Sequence, residues 1–474
     1  MLRQLAAAVR ERRISSEDLV RESLAGIERA NPTLNAVISV REQAVDEARA
    51  VDGRVAAGED PGSLAGVPVL IKDMEDVAGV PTTYGSLAFV DAPPAAADML
   101  IPRRLRTAGA IIVGKTNQPE FACAGFTDNL LYGATRNPWN LERSPGGSSG
   151  GSAAVIAAGL APIATATDGG GSIRIPAAFC GLAGIKPTAG VIAREPIPDW
   201  IDLSTFGPLA TSIEDLVLLL ELESGPEPGD PTASPTPFRA ANGAMPGRAL
   251  AAPRLVDYGP LPEGVQVAFD RALALVERDL GLPIEPIEPA RIFRAGNPSD
   301  DWFYTCAVEH CANLGWDFLE ANLERFSPYF RSWVETARRV TLSDYLGMRR
   351  RRFGYVRELD LLLGDDAVLL TPTNAVESLL PDGVDPATGS APNGDAFNTD
   401  PQNITGHPAV SVPAGVTTDG VPFGLQITAP RFRDDMALAV AAAWERANQW
   451  PPTAPGHELF SVGLNLDLPE LGNP

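Results

Sequence analysis

Leu2, Leu5, Ala6 and Val9 recur at helical spacing, and Ser15 followed by Asp18 has the form of a capping box. Residues 1–50 therefore predict two amphipathic helices. Short apolar runs at 66–72, 109–114 and 161–167 predict buried strands, with Ala-rich helical stretches between them. That alternation predicts a mostly parallel sheet with helices on both faces. Residues 224–237, SGPEPGDPTASPTP, are too rich in proline for a helix and separate a Gly-rich first half from a second half of different texture. Residues 262–280 and 297–362 predict helices and hold most of the aromatic side chains, and 367–373, 408–414 and 421–428 return to strand. The second half is expected to add strands to the same sheet, giving an α/β fold in a single domain with no internal repeat.

Composition narrows the function classes. The chain has 474 residues, 45% of them hydrophobic, which is enough for a large core. Its formal net charge of -22 repels phosphate backbones and anionic lipid, so neither nucleic acid nor a membrane surface is an expected partner. No window approaches the ~18 consecutive apolar residues of a membrane helix. The N-terminal residues lack the apolar stretch of a signal peptide. Four cysteines, at 123, 180, 306 and 311, do not form a disulfide framework, so a cytoplasmic location is the default.

Two glycine-rich segments, SPGGSSGGS (144–152) and TDGGGSIRIP (167–176), each present serines. The Ala-rich stretch between them is long enough for a helix and a strand, which can bring both loops to one sheet edge. Glycine lets a ligand approach the backbone, and the amides at 169–172 could point at one oxygen, as an oxyanion hole requires. Glycine and serine alone read equally well as two flexible surface turns. Lys72 ends an apolar run. Turned inward, it would lose its proton more easily through desolvation and could then take one from a serine; turned outward, it is a solvated lysine beside Asp73, Glu75 and Asp76.

The segments GVPVLIKDMEDVAGVPTTYGS (66–86), TNQPEF (116–121), YGATRNPWN (132–140), 144–188 as a whole and GPLATSIEDL (207–216) resemble the amidase-signature family in order and spacing. PQNITGHPAVSVPAG (401–415) and GVPFGLQITAP (420–430) resemble its C-terminal blocks, and the likeness thins between 230 and 365. The resemblance implies one amidase domain: N-terminal helices over 1–60, a signature core over 61–220, and a C-terminal part over 221–474 with substrate-pocket helices at 290–360. It implies a large mixed, mostly parallel β-sheet sandwiched by helices. It also implies a Ser–cis-Ser–Lys triad, with Ser172 as nucleophile, Ser148 as proton relay behind a cis Gly147–Ser148 bond, and Lys72 as general base. Gly169, Gly170 and Gly171 match the oxyanion-hole positions, and Asp168 and Arg174 match positions that support the nucleophile loop. The implied reaction is hydrolysis of a small-molecule carboxamide through an acyl-enzyme, without metal or organic cofactor, in a chain that could form a homodimer.

Some aromatic residues of 302–333 are expected to line the acyl or amine pocket, favouring aryl or alkyl amides with an apolar acyl group. Other motifs compete. GAIIVGKT (109–116) fits a P-loop pattern, but its central residues read as the strand itself, placing Lys115 just past the strand end. GSSGG (147–151) fits a nucleophile elbow centred on Ser149 and would demand a histidine, with His407 the candidate in a Ser-His esterase. Cys306, His310 and Cys311 share a helix, but 310 and 311 point about 100° apart, so core packing is expected there and not a metal. A further alternative is a glutamine amidotransferase subunit that supplies ammonia in a multi-subunit complex. That branch reads TDTGGSIRQPA where this chain has Gly169 and Ile175. A catalytically dead scaffold is disfavoured because all three triad residues are present.

Overall fold

The computed structural model describes residues 1–240, 243–391, 394–460 and 463. Three helices, Leu2–Arg10, Ser16–Leu34 and Ala44–Ala56, open the chain where two were expected. The capping box forms: Ser15 accepts from the Asp18 N–H while the Asp18 carboxylate accepts from the Ser15 N–H.

The expected strands at 66–72 and 109–114 are Pro68–Lys72 and Ile111–Thr116, paired in parallel, and the first is also parallel to the short strand Ile163–Ala164. With Val37–Val40 they make a four-stranded sheet. A seven-stranded sheet runs in the order Ile284–Pro286, Arg248–Ala251, Ala367–Pro372, Pro422–Thr428, Ala409–Val416, Ala183–Lys186, Leu209–Ala210. Five of these strands come from beyond residue 240, so the second half does add to a sheet begun by the first. The layered α/β architecture with a large mixed sheet is as expected. Parallel pairing is less prevalent than expected: within the seven-stranded sheet only the two pairs that Arg248–Ala251 makes are parallel, and the remaining four are antiparallel. The reason is local for Ala409–Val416 and Pro422–Thr428. The residues 417–421 that join them are too few for a parallel crossover.

One apolar cluster unites the first helices, the strand Pro68–Lys72, the helix Gly150–Ala157 and the C-terminal helix Asp434–Ala447. A second gathers the aromatics of the helices Pro298–Leu314 and Pro328–Ala337 around Phe121 and Trp200. Among the described residues no helix is long and apolar enough to cross a membrane.

Candidate active site

Every residue of the strand Pro68–Lys72 is buried, so the chain carries Lys72 inside the protein and its side chain has no solvent exposure. The Lys72 N–H donates to Thr165 Oγ1 at 2.9 Å, which fixes the strand end. Its Nζ lies 2.7 Å from Ser148 Oγ, 3.0 Å from Ser149 Oγ and 2.9 Å from Thr167 Oγ1. Burial lowers the Lys72 pKa to about 7, against the opposing pull of the Glu75 and Asp168 carboxylates. Glu75 is itself fully buried, and burial raises it to about 7 although the Thr165 hydroxyl donates to it.

The 144–149 loop feeds the helix Gly150–Ala157, and its Gly147–Ser148 peptide bond is cis. A side chain at Gly147 would lie 2.5 Å from the Phe126 carbonyl oxygen, so only glycine passes here. The Ser149 N–H donates to the Ser172 carbonyl at 3.2 Å, which ties the two serine loops together.

The second loop is held from within and from far along the chain. Asp168 and Arg174, both without solvent exposure, form an ion pair at 2.8 Å. Burial acts to raise the Asp168 carboxyl, but the Arg174 guanidinium, Lys186 and Asn403 together hold the pKa below the usual value. Arg174 also donates to Gln402, Gln426 and Asn403 at 3.1, 2.8 and 2.7 Å. The Asn403 amide returns a bond to the Asp168 carbonyl at 2.8 Å. The carbonyls of Gly169 and Gly170 accept from Trp302 Nε1 and Thr399 Oγ1, each at 2.6 Å.

The glycine run is shaped by indoles. A Cβ at Gly169 would fall 2.1 Å from the Trp200 ring, and one at Gly170 would fall 2.2 Å from the Trp302 ring. That gives a physical reason for glycine at 169, where the ammonia-supplying branch has threonine. The Gly171 N–H donates to Asp168 Oδ1 at 2.7 Å and is thus engaged inside the loop. Among the described residues, the N–H groups of Gly169, Gly170 and Ser172 make no hydrogen bond within the protein.

Ser172, 8% exposed, opens into a cavity of about 550 Å³. The walls near it include Gly170, Ile175, Trp200, Trp302 and Trp333. Trp200 stacks on Trp333 with centroids 5.7 Å apart, and Trp302 stands edge-on to both. Trp302, Phe303, Tyr329 and Trp333 come from the aromatic stretch that sequence pointed to, whereas Trp200 does not. Among the described residues the Ser172 hydroxyl makes no hydrogen bond within the protein; Lys72 and Ser148 are joined directly, and Ser172 faces the cavity.

The structure turns the competing motifs elsewhere. Lys115 lies within the strand Ile111–Thr116, not past its end, because pairing continues through Thr116; its ammonium meets Asp73 at 3.1 Å. Ser149 binds Lys72. His407 is fully buried with Nε2 3.1 Å from Asp360 and is not on the cavity wall. His310 Nδ1 lies 2.7 Å from Asp199, and Cys306 and Cys311 are buried and free. Sequence reasoning missed Trp200 and Thr399, named Ser149 only as a rival nucleophile and Glu75 only as a neighbour of an outward Lys72, and quoted Thr167 without a role. It quoted Gln402, Asn403 and Gln426 inside matched blocks without giving them a role.

The Amidase family model matches residues 18–438. An acylamidase of Rhodococcus erythropolis is 35% identical over 96% of this chain and 97% of its own length. The A component of a glutamyl-tRNA(Gln) amidotransferase from Trichormus variabilis is 33% identical over 96% and 99%. Among solved structures, 6-aminohexanoate cyclic dimer hydrolase is similar with a TM-score of 0.84 and 30% identity, covering 96% of this chain and 98% of that one. A bacterial aryl acylamidase gives a TM-score of 0.83 at 28% identity, covering 94% and 95%. The chain belongs to the amidase family and is an amidase-signature hydrolase of carbon–nitrogen bonds.

Proposed function

We propose that amide hydrolysis here runs through an acyl-enzyme on Ser172, with Ser148 relaying its proton to Lys72. The observation that carries this reading is the buried Lys72 Nζ, 2.7 Å from the Oγ of Ser148, which sits on a loop whose Ser149 N–H is bonded to the carbonyl of the cavity-lining Ser172. A neutral amine has two N–H donors and one lone pair. Set among three hydroxyls, it must therefore accept from one of them, and Ser148 makes the shortest contact.

As Ser172 Oγ bonds to the amide carbon, its proton passes to Ser148, and the Ser148 proton passes to Lys72. The substrate closes the Ser148–Ser172 step when it docks, since catalytic hydrogen bonds commonly tighten only in the complex. The free N–H groups of Gly169, Gly170 and Ser172 receive the oxyanion, while Asp168 and Arg174 hold the loop in shape. The relay then returns a proton to the leaving nitrogen as the C–N bond breaks, and water releases the acid from Ser172.

The substrate is an aryl or alkyl amide with an apolar portion, supported by the three packed tryptophans of the cavity. Glutamine-dependent ammonia supply fits less well, because no lysine or arginine lines the cavity among the described residues to meet an α-carboxylate. A reducing compartment such as the cytoplasm is supported by four free, buried cysteines. The test is a panel of anilides, primary amides, lactams and esters on wild type and on Ser172→Ala. Turnover of anilides that survives in Ser172→Ala overturns the assignment.

A further inference from the structure

The cavity beside Ser172 is lined by two chemically different sets of residues. One is aromatic, built from Trp200, Trp302, Phe303 and Trp333. The other is acidic: Asp300, Asp395 and Asp400 line it together with Ser299 and Tyr258. Asp300 and Asp395 are exposed, but Asp400 is 5% exposed and, among the described residues, its Oδ2 makes no hydrogen bond. A buried carboxylate oxygen without a partner is costly unless a ligand supplies the missing donor. Burial raises the Asp400 carboxyl to about 7 although the Ser299 hydroxyl opposes the shift, and a cation seated beside it would favour the ionised form.

The neighbouring cations are committed elsewhere. Arg174, whose positive charge reaches Asp400, spends its nitrogens on Asp168, Gln402, Gln426 and Asn403. Arg254 donates to the carbonyls of Gly259, Pro260 and Asp395. Among the described lining residues there are three carboxylates and no lysine, arginine or histidine. Such a wall repels an anionic substrate. Aromatic faces beside carboxylates suit an alkylammonium, which gains a charge-assisted hydrogen bond on one side and ring contact on the other.

We infer that the substrate carries a protonated amine on the part that fills this cavity, and that Asp400 receives it, with Asp300 drawing it in from the open side. This rests on the proposed hydrolysis at Ser172 and names its substrate class. Asp400 acts on specificity and takes no part in the proton relay.

The experiment uses anilides whose straight acyl chains end in an ammonium, a methyl or a carboxylate, and a second series with the same groups on the aniline side. Simple alkylammonium and alkylcarboxylate ions are then compared as inhibitors of the methyl-ended substrate. Expected is a kcat/KM at least about ten-fold higher for the ammonium end than the methyl end in one series, with the carboxylate end lowest. Alkylammonium ions should inhibit competitively and alkylcarboxylates should not. Asp400→Asn should reduce the ammonium preference mainly through KM, and Asp300→Asn should reduce it less. Equal rates for all chain ends in both series, or an Asp400→Asn defect equal for every chain end, overturns the inference while leaving hydrolysis at Ser172 standing. Wild type inert towards every chain end, together with inert primary amides and lactams, instead sinks the hydrolysis reading on which it rests. The wild-type preference and the inhibitor comparison need no variant, so misfolding of Asp400→Asn leaves the test intact.

Discussion

Lys72 Nζ and Ser148 Oγ lie 2.7 Å apart, and neither side chain has any solvent exposure. Burial favours the uncharged form of this amine, with its pKa lowered to about 7. Only the neutral amine accepts a proton. Expected is a kcat/KM for an anilide that rises with pH through about 7 and is lost below it. A rate flat from pH 5 to 9, measured on a substrate without a titrating group, contradicts the base assignment. Lys72→Arg keeps the charge at every such pH and should lower kcat by about 10³-fold or more.

Glu75 supplies negative charge that favours the protonated amine. In Glu75→Gln that support is gone, so the Lys72 pKa should fall and the acidic limb of the pH profile should move to lower pH. A limb that stays in place shows that Glu75 does not influence the base.

Ser172→Ala should lower kcat on every substrate by on the order of 10⁴-fold or more, and the double variant with Ser148→Ala should be little worse. Residues that act as one unit lose their effect together, so multiplicative losses would argue against a shared relay.

Gly169 and Trp200 occupy one volume between them. Gly169→Thr should abolish activity or destabilise the fold by ~2 kcal/mol or more through overpacking. Combined with Trp200→Ala, the same change should be milder than the two single effects added, a coupling that a double-mutant cycle measures by denaturant unfolding. Strict additivity would mean that the ring and the loop do not share this space.

Arg174→Leu leaves the Asp168 carboxylate buried without its cation and should cost ~3–5 kcal/mol in unfolding experiments. Asn403→Ala removes donors from Asp168 and an acceptor from Arg174, and a loss of ~1–3 kcal/mol is expected. Unchanged denaturation midpoints would show that the network contributes little to stability.

Much of the site could be read along the chain because its parts are short and local. Lys72 ends a visible apolar strand, and Ser148 and Ser172 sit in glycine-rich runs that matched a family pattern. What sequence could not show is where distant side chains converge. Trp200 lies in an irregular segment with no periodic pattern, yet it closes over Gly169 from outside the loop. Asp400 opens the short helix Asp400–Thr405 and reads as an ordinary first-turn acid until the cavity is seen around it. The antiparallel share of the large sheet was missed for a related reason: buried strands are apolar throughout, so their direction depends on connections that hydrophobic pattern does not encode.

The guanidinium of Arg174 reaches three side chains that lie more than two hundred positions later in the chain. During synthesis the serine loops leave the ribosome long before Gln402, Asn403 and Gln426 exist to steady them. The Asp168–Arg174 loop is thus steadied last, and a nascent chain is expected to be inert toward the amide bonds of its surroundings until the strands after residue 400 arrive. Ribosome-arrested chains stopped before residue 401 should show no labelling by an acyl-transferring serine probe, whereas chains released complete should label.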